Sequence, residues 1–306
     1  MFTVMIKEIT SNQKLPFSGA LFTAFICILF GSNAVAIKIT LEGVGVFTTA
    51  GLRFGMASLA ISLWALSTNK SFKIRKGQFY HLLIIGMIFF VQLSLFYLGI
   101  SKTNASRATL FANLQPFFLL VLAHYFISGD QVSKKKLLGI LVGFSGVAFV
   151  FLEKKGVTSN FQTGDIIVLF AALFWAFNGV YTKRIIANFE PFHIVLYPMI
   201  IATPLFFIEA LVWDGNMISE INLRVILSLL YQAVVSGSFG FIAWMTLLKK
   251  YGAVSLHSFI FIMPVAGVLL GGLILGEPIT PKILLALMLI VSGIFIVNLK
   301  WVHAPT

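Results

Sequence analysis

The chain repeats itself at half its length. Phe30-Gly31-Ser32-Asn33-Ala34-Val35-Ala36-Ile37-Lys38 returns as Trp175-Ala176-Phe177-Asn178-Gly179-Val180-Tyr181-Thr182-Lys183, with Asn and Lys in register. Gln115-Pro116 returns as Met263-Pro264, Gly129-Asp130 as Gly276-Glu277, and Ser145-Gly146 as Ser292-Gly293. A constant offset of about half the chain means one unit was duplicated, so each half must fold on a common plan. Both copies are strongly apolar, and duplicated apolar halves mark membrane proteins whose functional site lies where the repeats meet.

Composition decides the solvent. With 59% hydrophobic and only 10% charged residues in 306, the chain cannot cover its own surface with water-compatible side chains. The formal charge of +12 is spread over short loops as topology signals rather than gathered in a patch for nucleic acid. The single cysteine, Cys27, lies in an apolar run, so the sequence offers no disulfide framework and no thiolate metal site.

The reading predicts an all-α integral membrane protein of ten transmembrane helices in two inverted five-helix repeats, 17–153 and 161–300. A span needs about 20 mostly apolar residues. Ten stretches qualify: 17–38, 46–66, 79–100, 106–127, 136–152, 164–185, 192–212, 224–247, 254–275 and 281–299. With the N-terminus in the cytoplasm, the inner segments, such as Lys70 to Lys76, Lys134-Lys135-Lys136 and Lys249-Lys250, carry about twice the Lys and Arg of the outer ones. Both termini are therefore expected inside a cell inner membrane. Five spans per copy is an odd number, so the second copy enters from the opposite side. Leu21 to Phe30 followed by Ala34-Val35-Ala36 has the outline of a signal peptide. The same segment is the counterpart of the sixth span, which argues for its retention.

Chemistry-bearing motifs are few. The sequence holds no HExxH, Gly-x-Ser-x-Gly or Walker loop and no Cys/His ligand cluster, so no catalytic residue, metal or cofactor is expected. Gly139-x-x-x-Gly143 is a helix-packing motif that also suits a homodimer face. Acidic residues fall at or beyond the span ends, Glu209 being nearest to an interior. A buried carboxylate for ion coupling or for cationic drugs is thus not expected.

The spans do hold amides and aromatics. Asn33 and Asn178 occupy matching positions, and an unpaired amide in hydrocarbon costs several kcal/mol, so each must face protein or a water-filled cavity. Ala105, Thr109 and Asn113 share one helical face, and the repeat offset gives Ala253, His257 and Phe261 as the symmetry-related stripe. Each stripe leads to a proline, Pro116 or Pro264, where a helix loses a hydrogen bond and can bend as a gate. The predicted solute-binding set is Asn33, Gln92, Tyr97, Asn113, Trp175, Asn178, Tyr231, Trp244 and His257. Arg53, deep in the second span, cannot be explained as a side chain reaching for the interface.

These residues resemble the EamA-type branch of the drug/metabolite transporter superfamily. The resemblance rests on the two Asn…Lys openings, on Arg53-Phe54, on Tyr97-Leu98-Gly99-Ile100 followed by Ala105 and Pro116, and on Gly276-Glu277-Pro278. It covers residues 17 to 299, with Phe30 where many members have Trp, and Asp130 in place of Glu. It implies a central cavity built from spans 1, 3, 4, 6, 8 and 9, with spans 5 and 10 peripheral. It also implies export without ATP hydrolysis, often of amino acids or related metabolites. The expected partners are therefore a small-molecule solute and the lipid bilayer. Neutral or aromatic amino acids suit an amide- and tryptophan-lined site. A cationic-drug exporter is the rival within the class. A polytopic membrane enzyme using His124, His193 or His257 is the rival outside it, beside a lipid-scrambling or purely structural membrane protein.

Overall fold

The computed structural model describes residues 15–127, 132–151, 159–257 and 259–298. These residues are almost wholly helical, and their sole strand-like feature is an isolated bridge between Val44 and Ile218. Helix is what an apolar chain must form in lipid, because it satisfies backbone N–H and C=O groups within the segment. The distribution of side chains is inverted relative to a soluble protein. Leu63, Leu211 and Leu273 are among the large apolar residues facing outward, while Arg53, Gln92, Arg107, Asp165 and Gln232 are buried.

The first apolar segment is α1 (Phe17–Gly31) and α2 (Asn33–Thr40), broken at Ser32. There the Ser32 hydroxyl donates to the Leu29 carbonyl at 3.0 Å and competes with the backbone ladder. Next come α3 (Val46–Ser67) and α4 (Gln78–Ser101). The fourth segment is α5 (Ala105–Ala112) and α6 (Gln115–Phe126), then α7 (Lys134–Phe151). The second half runs α8 (Ser159–Ile185), α9 (Pro191–Trp213) and α10 (Leu223–Leu230), which continues as a π-helix over Tyr231–Gly240. It closes with α11 (Phe241–His257), α12 (Ile262–Leu275) and α13 (Pro281–Asn298).

Among the described residues eight helical segments are long and apolar enough to cross a membrane, against the ten expected. The two that fall short have physical reasons. α7 opens on three consecutive lysines, and α12 has 14 residues because the helix breaks just before it. That break departs from the expected turn near Lys249-Lys250, since α11 runs on through them to His257.

Helices of the first half pack on helices of the second through small residues. A Cβ on Gly293 would lie 2.6 Å from the Gly139 carbonyl oxygen, and one on Gly139 would lie 2.8 Å from that of Gly293. α7 and α13 therefore touch backbone to backbone. A Cβ on Gly143 would run into the Phe117 ring, so both members of the Gly139-x-x-x-Gly143 motif are covered within the chain. α5 and α12 meet where Gly267 faces Thr109 and Gly271 faces Ser106. α3 meets α9 through stacked Phe54 and Phe206, ring centroids 5.7 Å apart. α4 crosses α8 where Gly99 faces Gly164.

Replacing Gly293 with Val should force α7 and α13 apart and cost about 1–3 kcal/mol. In detergent, thermal unfolding monitored by size exclusion should shift down for Gly293→Val. It should stay unchanged for Gly215→Ala, where an added Cβ meets nothing within 4 Å.

Candidate functional site

Buried polar groups of the two halves bond to one another in the middle of the helix bundle. Arg53 on α3 donates from Nη1 to the Tyr97 hydroxyl on α4 at 3.1 Å. The Tyr97 hydroxyl donates to Gln232 Oε1 in the π-helix at 3.2 Å. Gln232 Nε2 in turn donates to Thr40 Oγ1 at 2.7 Å and to the Ala36 carbonyl at 3.2 Å, both on α2. One chain of hydrogen bonds thus ties four elements together. The π-helix helps to make this geometry, because each wide turn presents side chains off the ordinary helical register.

A second cluster joins α4 to α8. Asn178 Nδ2 donates to Gln92 Oε1 at 3.1 Å, and Thr182 Oγ1 donates to Asn178 Oδ1 at 3.1 Å. A third lies at the α1–α2 break. The hydroxyls of Tyr231 and Ser32 lie 2.5 Å apart, and Tyr231 also donates to the Leu29 carbonyl at 2.9 Å. Beside it Phe30 meets Trp244 edge-on, with ring centroids 6.2 Å apart.

Five of the nine sequence-predicted solute residues fall in these clusters, Tyr97, Gln92, Asn178, Tyr231 and, through its ring contact, Trp244, and a sixth, Asn33, follows the break. Asn33 Oδ1 is buried without a hydrogen-bond partner. Trp175 stands apart on α8, packed edge-on to Phe96 and 36% exposed. Asn113 Nδ2 turns back to the Thr109 carbonyl at 2.8 Å. Thr109, from the same predicted stripe, faces Gly267 rather than open space. His257 ends α11, and its side chain lies outside the described residues.

Both prolines follow interruptions of their helices. Pro116 occupies the first turn of α6, just after the Asn113-Leu114 turn, where its missing N–H is one the helix start would leave free anyway. Pro264 sits equivalently in the first turn of α12. The predicted bends are therefore breaks placed one turn before each proline.

A cavity of about 620 Å³ opens at the far end of α2 and is lined by Lys38, Glu42, Asn104, Asn216, Ser219 and Glu277 among others. Lys38 Nζ donates to the Ile100 carbonyl at 3.2 Å. Glu277 accepts from the backbone N–H groups of Ala105 and Ser106, at 2.6 and 2.8 Å, and from the Ser106 hydroxyl at 2.5 Å. It thereby caps the start of α5 from the other half of the chain. Asp214 does the same for α3, accepting from the Thr48 N–H and hydroxyl at 2.8 Å each.

Sequence reasoning missed one pair outright. Arg107, near the start of α5, is 2% exposed and forms an ion pair with Asp165, which is fully buried. Arg107 Nε donates to Asp165 Oδ2 at 3.0 Å, and the Thr103 hydroxyl donates to Oδ1 at 2.7 Å. Each lies near the start of its helix, where it reads as an interfacial charge. Only the packing of α5 on α8 puts the two face to face. The histidines considered for enzyme chemistry are scattered: His193 bonds the Ser71 carbonyl at 2.8 Å, and His124 Nδ1 accepts from the Val132 N–H at 3.4 Å.

An all-helical bundle whose apolar faces look outward and whose polar groups bond inside is a multi-pass integral membrane protein. The chain belongs to the EamA-like transporter family, whose model matches it twice, over residues 17–152 and 162–299. This places it in the EamA-type branch of the drug/metabolite transporter superfamily. It is 22% identical to the uncharacterised transporter YoaV of Bacillus subtilis, over 88% of this chain and 93% of that one. It is 26% identical to an Escherichia coli protein named as a probable amino-acid metabolite efflux pump, over 90% of this chain and 94% of the other. A solved crystal structure shares the fold with a TM-score of 0.68 at 18% identity, covering 91% of this chain and 96% of that one.

Removing the carboxylate of the buried pair should leave Arg107 without its main counter-charge, at about 3–5 kcal/mol. Asp165→Ala should reduce membrane abundance and melting temperature sharply, whereas Glu42→Ala, whose ion pair with Arg224 is solvent-exposed, should leave both within experimental scatter.

Proposed function

We propose that this protein exports small organic solutes, neutral or aromatic amino acids and related metabolites foremost, by alternating access between two inverted five-helix repeats, 17–153 and 161–300. The observation that carries this reading is the set of side-chain bonds between the halves, Tyr97 to Gln232 and Asn178 to Gln92. Such bonds sit at the interface that must open and close when one repeat rocks against the other. The ten-span arrangement is supported by α7 and α12 completing the count of apolar helices, and by α3 and α7 each packing on the helix that matches it in the second half.

The cavity at the end of α2 is open on one face. With both termini cytoplasmic in a bacterial inner membrane, that face is extracytoplasmic, and the solute leaves by it. The breaks ahead of Pro116 and Pro264 serve as the paired gates, since half-helices joined by a turn can tilt without breaking a continuous ladder. Amino-acid cargo agrees with the efflux function in the name of the Escherichia coli relative. Cationic drugs are disfavoured because the interior carboxylates among the described residues are engaged: Asp165 by Arg107, Glu277 by α5, and Glu209 by the Ser94 hydroxyl at 2.6 Å.

Purified protein in liposomes should exchange labelled neutral amino acids. Asn178→Ala or Trp244→Ala should slow exchange about tenfold or more at near-normal abundance, the equivalent of about 1.4 kcal/mol of lost contact. Normal exchange by both variants would assign these residues to packing. Orientation is checked in a Cys27→Ser background. A Ser219→Cys variant should react with an impermeant maleimide on intact cells, and a Lys73→Cys variant only after permeabilisation. The reverse pattern would overturn the assigned sidedness.

A further inference from the structure

A cation inside a membrane protein is retained against a large solvation penalty, so its partners deserve counting. Arg53 is 5% exposed and lies about 10 Å along α3 from Val46, a residue of the cavity wall. Among the described residues it meets no carboxylate. Its contacts are the Tyr97 hydroxyl and the face of Phe54, whose centroid lies 4.8 Å from the guanidinium carbon. Its Nε–H is buried with nothing to receive it. A protein that needed only to neutralise this charge has carboxylates to do so, as Asp165 does for Arg107.

Among the described residues two other buried side-chain polar atoms are also without partners, Asn33 Oδ1 and Ser236 Oγ. Both belong to the elements that the Arg53 network joins. Asn33 follows Ser32, whose hydroxyl lies against that of Tyr231, and Tyr231 precedes Gln232, the acceptor for Tyr97. Ser236 is one turn further along the same π-helix. The unused groups have complementary character: a cationic donor, an amide acceptor, and a hydroxyl that can do either. Orphaned buried groups are rare in a folded protein, and three on elements that one hydrogen-bond chain links point to a ligand.

We propose that Arg53 is the anion anchor of the transport site: it receives the carboxylate of the solute, while Asn33 Oδ1 accepts a hydrogen bond from the solute ammonium, so that the cargo is a zwitterionic α-amino acid. This rests on the transport reading above and adds to it the recognition of both charged ends. Arg53 is shut away from both faces in this structure. A solute reaches it when α2 and the π-helix part, and those elements adjoin the Ser32 break and the loosest helical turns of the bundle. A guanidinium suits the role because its planar donors match a carboxylate in two places at once.

The test uses the wild-type protein first. In liposomes loaded for counterflow of labelled phenylalanine, unlabelled phenylalanine should compete at least about tenfold better than phenylalaninamide or 3-phenylpropionate, each of which lacks one charged end. Arg53→Gln should lose the preference for phenylalanine over its amide, with Arg53→Lys retaining part of it, while Asn33→Leu should lose the preference over 3-phenylpropionate. Wild-type protein that accepts the amide as well as the acid would overturn the anchor, as would an Arg53→Gln variant that keeps wild-type discrimination. If the protein exchanges carboxylates without an amino group, Arg53 keeps its role and the amino-acid reading falls. If a panel including quaternary amines and nucleosides shows exchange of no carboxylate-bearing solute, both readings fall together.

Discussion

Lipid offers no hydrogen bonds, and the architecture of this protein follows from that one constraint. Every polar group that enters the bilayer must find a partner in the chain itself. The buried arginine–aspartate pair shows the consequence most plainly. Arg107 and Asp165 are shielded from solvent; Arg107 donates to the Asp165 carboxylate, which also accepts from the Thr103 hydroxyl. Because they sit on α5 and α8, satisfying them fixes how the fourth apolar segment lies against the first helix of the second half. The carboxylates of Glu277 and Asp214 act in the same way on helix starts, occupying N–H groups that would otherwise be left exposed to lipid or to a dry interior.

Without a hydrophobic drive between helices, close packing has to supply cohesion. Glycine does this at the α7–α13, α4–α8 and α5–α12 crossings, where the neighbouring backbone or side chain occupies the place a Cβ would take. These contacts differ in kind from the polar bonds nearer the centre. Glycine crossings are continuous surfaces that resist separation. The Tyr97–Gln232 and Asn178–Gln92 bonds are individual side-chain hydrogen bonds, each of which adds only modestly to cohesion.

The helix interruptions belong to the same account. At Ser32 a hydroxyl competes with the backbone, at Asn113 a side-chain amide takes the Thr109 carbonyl, and over Tyr231–Gly240 the winding loosens to a π-helix. The interruptions at Ser32 and over the π-helix adjoin polar clusters, and at all three sites a side chain bonds a carbonyl near the break. Regularity is given up where side chains must point inward, and it is kept in α7 and α13, which touch mainly each other.

The all-helical membrane class, the duplication and the family were legible in the sequence, because they depend on composition, on the length of apolar runs and on an offset that recurs along the chain. The amides Asn33 and Asn178 and the tyrosines Tyr97 and Tyr231 could be singled out on the same grounds, since polar groups in apolar runs must be accounted for. Which of them meet was decided by tertiary structure alone. Asn33 and Asn178 match in sequence, yet Asn178 is bonded to Gln92 and Asn33 Oδ1 is orphaned. Arg107 and Asp165 each read as an interfacial charge at a helix start until the helices are set side by side. A sequence records what each segment must bury; how two buried groups pair depends on crossing angles and register between segments far apart in the chain, and those exist only once the helices have packed.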